Sequence, residues 1–190
     1  MSSENQFDHS SAPKPGEAKK LLIIASIIVL TVPGLLLAAA IYFKDIARKP
    51  EIESLESAIR SVGTQIKKRN DCDKDVQGYY KFLEGDNEVI ADEVVICTNN
   101  FSYTVDNYPA LLKHEMTHIM HACLGTTINS PDEIRELRRE LKERNESSYR
   151  TIHRGYSETE HFEEVEARWM ELQDYEYVNN QLQKHCVRGW

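Results

Sequence analysis

Leu111-Leu112-Lys113-His114-Glu115-Met116-Thr117-His118-Ile119 is the stretch that decides how this chain is read. Its centre is H-E-x-x-H, two histidines four positions apart with a glutamate after the first. Residues i and i+4 lie one turn apart on the same face of a helix, so both imidazoles can reach one ion. Leu111, Leu112 and Ile119 supply apolar flanks. Asp106 or Asn107 can cap a helix that has Pro109 in its first turn and runs to about Leu124. Zinc accepts imidazole nitrogen, and catalytic zinc sites use three protein ligands plus a water. His114 and His118 are therefore candidate zinc ligands. Glu115 is the candidate general base, able to take a proton from the water and pass it to a leaving amine.

A third ligand must come from elsewhere. The extended pattern H-E-x-x-H-x-x-G-x-x-H is excluded, because His121 stands at the glycine position and Leu124 at the last histidine position. The other common solution is a glutamate on a later helix, followed three residues on by a small residue that lets the two helices approach. His161-Phe162-Glu163-Glu164-Val165-Glu166-Ala167-Arg168 supplies this as Glu164-x-x-Ala167. Glu163 and Glu166 compete with Glu164, since helical phase alone does not separate 164 from 166. His121, His153, His161 and His185 are weaker ligand candidates, and His153, Tyr156 or His161 is a candidate to stabilise an oxyanion.

Outward from the motif, the pattern suggests one α+β domain with a little sheet and three main helices. Residues 87–98 are rich in β-branched side chains, and Val94–Cys97 read as a buried strand that could align an extended peptide by edge pairing. Ser130-Pro131-Asp132-Glu133 opens a charged helix over 131–147. A long final helix is expected over 158–185, with Phe162, Val165, Trp169 and Leu172 as its core stripe. Ile52, Leu55, Ile59, Val62 and Ile66 recur at helical spacing, so 44–70 is expected to be an amphipathic helix, a stalk or the first helix of the domain.

The N-terminal end differs in kind. Residues 1–20 are rich in Ser, Pro and Lys and read as a disordered tail. Residues 21–43 (LLIIASIIVLTVPGLLLAAAIYF) carry no charge at all, and a spanning helix needs about 20 residues. They are expected to form a single-pass transmembrane helix. A cleaved signal peptide ending at Ala38-Ala39-Ala40 is the alternative. Basic residues flank both sides, so the side on which residues 71–190 sit is not set. The whole formal charge of −8 falls on 44–190, which argues against nucleic acid as the main partner.

Taken together, Val94-Val95-Ile96-Cys97-Thr98-Asn99-Asn100, then His114-Glu115-x-x-His118, then Cys123, then Glu164-x-x-Ala167 resembles a known family. It is the mitochondrial inner-membrane metalloprotease family that matures and helps assemble an ATP synthase subunit. The resemblance covers about 95 residues, from roughly 72 to 168. It implies a zincin-like minimal metalloprotease domain over 71–190 behind the transmembrane helix. It also implies zinc on His114, His118 and Glu164, with Glu115 as catalytic base. The sequence departs from the family where Ile119-Met120-His121 follows the motif.

Cys72, Cys97, Cys123 and Cys186 permit two disulfides by three connectivities, and buried free thiols remain the alternative. The functional expectation is a membrane-anchored zinc endopeptidase acting on protein or peptide substrates, membrane proteins among them. The alternatives are a non-proteolytic assembly factor or a regulatory metalloprotein that keeps the same fold.

Overall fold

Val94, Val95, Ile96 and Cys97 are almost wholly buried and form the central strand of a three-stranded sheet. A continuous apolar run of this kind suits a strand covered on both faces. The computed structural model describes residues 48–84, 89–101, 107–156 and 160–187. The chain divides into two units, Met1–Asp45 and Ile46–Trp190, and every described residue belongs to the second.

The described elements are a helix over 48–61 (α1), then β1 Gln65–Arg69, β2 Gly78–Glu84 and β3 Val89–Cys97. Five helices follow: α2 Asn107–Leu124, α3 Pro131–Arg144, α4 Glu146–Gly155, α5 Glu160–Met170 and α6 Tyr175–Cys186. The sheet order is β1-β3-β2, with β1 parallel and β2 antiparallel to β3. Both edges of β3 are therefore occupied. The expectation that the strand at 94–98 offers a free edge is corrected: it is the middle strand, and β1 and β2 carry the outer edges.

The main core joins Leu55 and Ile59 of α1, Val94 and Ile96 of β3, Leu112, Met116, Ile119 and Met120 of α2, and Val178 and Leu182 of α6. A second cluster, Ile134, Leu141, Ile152 and Val165, lies between α3, α4 and α5. Gly78 lets α2 sit close to the sheet. A Cβ there would meet the Val95 carbonyl oxygen at 3.0 Å and Leu111 Cδ1 at 3.1 Å.

Three boundaries differ from the sequence reading. Residues 44–70 are not one stalk helix. The helix gives way after 61, Gly63 takes φ +96°, and the chain continues as β1. Residues with φ in this range are most often glycine, which has no Cβ to clash. Ile66 packs against the same core from the strand, so one apolar series serves two element types, and α1 belongs to the domain core. The long final helix is two helices, separated by residues 171–174, with Asp174 as the N-cap of α6. The charged helix begins at Pro131 with a full Ser130/Glu133 capping box. It stops at Arg144, where Asn145 ends it and caps α4.

The architecture of a domain behind a transmembrane helix, and the single-pass membrane localisation drawn from it, are also corrected. Among the described residues no helix is long and apolar enough to cross a membrane. Residues 1–20 and 21–43, expected as tail and span, lie outside the described residues.

Candidate metal centre

The apolar face of α2 is locked into the main core, and this fixes which way the opposite side of the helix points. Leu112, Met116 and Ile119 are buried against sheet and helices. His114 and His118 consequently project together toward α5, with their Nε2 atoms 3.2 Å apart. Helix α5 packs against α2, and its Ala167 is wholly buried and adds only a methyl group. That brings Glu164 to the pair: Oε2 lies 3.7 Å from His114 Nε2, and Oε1 lies 3.4 Å from His118 Nε2. One ligand atom from each of the three falls within 4.8 Å of the other two, so His114, His118 and Glu164 could hold a metal ion.

The three competing glutamates of α5 have distinct surroundings. Glu163 is exposed. Glu166 is fully buried and accepts hydrogen bonds from the backbone N–H of Ile128 (3.0 Å), the backbone N–H of Asn129 (2.7 Å) and Asn129 Nδ2 (2.7 Å). It also lies 2.8 Å from His121 Nε2. Glu166 thus ties the end of α2 and the 128–129 loop to α5. Glu164 alone of the three faces both motif histidines.

Donor chemistry and burial support a fit to a cation. Glu164 Oε2 and Glu115 Oε2 are both buried with no hydrogen-bond partner among the described residues. A buried carboxylate oxygen without a donor is costly unless something positive meets it. Burial by itself would raise Glu164, yet His118, His114 and Arg168 hold its carboxyl below the usual range. Burial would lower His118, but Glu164 and Glu115 outweigh it and the ring is raised. Glu115 behaves differently: burial dominates and pushes its carboxyl up, against the pull of the two histidines.

Two residues that the sequence reading missed complete the surroundings. Glu171 Oε1 lies 2.9 Å from His114 Nδ1 and accepts from Arg168 Nη1 at 2.8 Å. A carboxylate on the far nitrogen of a ligating histidine fixes ring orientation and tautomer. Arg168 is raised, because Glu171, Glu164 and Tyr156 outweigh the effect of its burial. For Arg168 the signal was present in the spacing: it follows Glu164 by four positions on one face of α5.

His114 and Glu115 open onto a cleft of about 400 Å³, also lined by Gly78, Leu111, Tyr156 and Arg168. Of the three side chains suggested for oxyanion stabilisation, Tyr156 lines this cleft. Its hydroxyl is raised by burial and then by Glu164. The side chain of His153 lies outside the described residues. His121 is turned to Glu166, and His185 lies 3.2 Å from Gln181.

The cysteines pair as Cys72–Cys97 and Cys123–Cys186. The first bond anchors the segment between β1 and β2 to the end of β3, just ahead of the cleft-lining residues Asp75–Gly78. The second ties the end of α2 to the end of α6. Set against protein-family models, curated proteins and solved structures, the chain matches none.

Proposed function

We propose that this chain is a metal-dependent peptidase in which His114, His118 and Glu164 hold zinc and Glu115 is the general base. One observation carries the reading: two histidines and a carboxylate converge within 4.8 Å, and the adjoining buried glutamate opens onto the same cleft. Zinc on such a ligand set supplies a Lewis acid and lowers the pKa of water.

The chain's own residues account for the proton traffic and the positioning. Burial raises the affinity of Glu115 for a proton above that of an ordinary carboxylate. That suits a group that takes a proton from water as the carbonyl is attacked and gives it to the amine as the C–N bond breaks. Tyr156 and Arg168, in the same cleft, offer O–H and N–H donors to the oxygen that gains charge. An extended peptide would lie beside Gln77 and Gly78 at the start of β2, since β3 has no free edge.

The test is hydrolysis of an unfolded protein substrate by zinc-loaded wild type and Glu115→Gln. Loss of cleavage with zinc retained supports the reading, and full cleavage by the variant rejects it.

A further inference from the structure

His121 is not needed by the centre described above, yet its surroundings resemble those of a ligand. Its Nε2 lies 2.8 Å from Oε2 of Glu166, a carboxylate that already accepts from Ile128 N, Asn129 N and Asn129 Nδ2. An ionised carboxylate only accepts, so the proton sits on Nε2 of His121. Nδ1 is buried, in a residue 6% exposed, and has no hydrogen-bond partner among the described residues; in the neutral ring its lone pair is unmet. A histidine whose one nitrogen is held by a carboxylate while the other is bare is prepared for a metal.

The geometry points to a second, outer cation site formed by His118, His121 and Glu163. One ligand atom from each of these residues lies within 4.8 Å of the other two. The rings of His118 and His121 meet edge to face, with centroids 5.6 Å apart. Glu163 is exposed and is the carboxylate that stands beside both rings. Two imidazoles and one carboxylate suit a divalent transition ion such as zinc or cobalt(II).

The outer site shares the His118 ring with the inner one. One neutral imidazole offers a single lone pair, so the two sites are alternative seats for an ion. The outer seat has an exposed carboxylate and the inner seat a buried one.

Cobalt(II) titration of the full metal-free chain tests this through its d–d absorbance. Glu164→Gln removes the inner carboxylate and should still bind one Co2+ per chain, more weakly than wild type. Adding Glu163→Gln should weaken that remaining binding at least as much as losing a mere supporting partner, roughly 10–100-fold. Glu163 is exposed, so its replacement leaves the fold intact. A second readout is the imidazole nitrogen spectrum of Glu164→Gln. Its His121 Nδ1 resonance should shift when zinc is added. Equal Co2+ affinity in the single and double variants, or an unmoved Nδ1 resonance, overturns the outer site. Both readouts report binding alone, so an absence of hydrolysis would reject the peptidase reading without touching this one.

Discussion

Nδ1 of His114 and Oε1 of Glu171 lie 2.9 Å apart, which turns Nε2 of His114 toward His118 and Glu164. Glu171 stands just past the end of α5, in the turn that breaks the C-terminal region into two helices. The break places a carboxylate just past the helix, against a candidate ligand on α2. Replacing Glu171 with Gln keeps the shape and weakens the acceptor. Zinc affinity should fall by roughly 10–100-fold in competition with a chelator. Unchanged affinity would show that Glu171 does not orient His114.

The glutamates on either side of Glu164 should separate cleanly by stability. Glu166→Ala strips four polar partners of their shared acceptor in a fully buried place. It should cost about 3 kcal/mol or more in urea denaturation, because each buried donor left without its acceptor costs about 1–3 kcal/mol. Glu163→Ala, on the exposed side, should stay within about 0.5 kcal/mol. Equal losses would mean that Glu166 does not hold α2 and the 128–129 loop to α5.

The Cys123–Cys186 bond closes 63 residues between the ends of α2 and α6. Because α2 carries both histidines, the bond supports the frame of the site as well as the fold. Replacing both cysteines with Ala should lower stability by about 2–4 kcal/mol. The same protein should still bind zinc once folded. Identical denaturation midpoints for wild type and variant would contradict this.

One acid-side dependence follows from the contact between α3 and α5. Trp169 Nε1 donates to Glu140 Oε2 at 2.8 Å, and Arg144 pairs with the same carboxylate. The indole bond first, and Arg144 second, hold Glu140 below its ordinary value of 4.5. A carboxyl lowered on folding stabilises the folded state above the unfolded value. That contribution disappears as pH falls through the lower folded value. The Trp169 indole N–H resonance should therefore titrate with a midpoint below 4.5, and Glu140→Gln should abolish the transition. A midpoint at or above 4.5 would show that the bond does not favour the charged form.

Much of the site was legible from local pattern, and much of its support was not. His114, Glu115 and His118 are fixed by spacing on a single helix, which the apolar series Leu112, Met116, Ile119 forces into register. Glu164 was reached through Ala167, whose small size is a packing fact visible in sequence. Phase alone could not tell Glu164 from Glu166, because the distinction depends on the 128–129 loop that Glu166 satisfies. β1 escaped notice because QIKKR is mostly exposed and charged and is held by pairing to β3. The apolar spacing of Ile66 continues that of α1 past Gly63, so periodicity alone does not separate the strand from the helix. Glu171 has no local signature, since it lies past the end of α5 and meets His114 only through tertiary contact.

Whether His114, His118 and Glu164 hold one ion decides the rest. The most direct measurement is the metal content of the purified full chain after dialysis in non-chelating, metal-free buffer. Wild type would be compared with Glu163→Ala, Glu164→Ala and Glu166→Ala. About one zinc per chain, kept in Glu163→Ala and lost most in Glu164→Ala, is the predicted result. No bound metal in wild type, or equal retention in Glu164→Ala and Glu163→Ala, would contradict it.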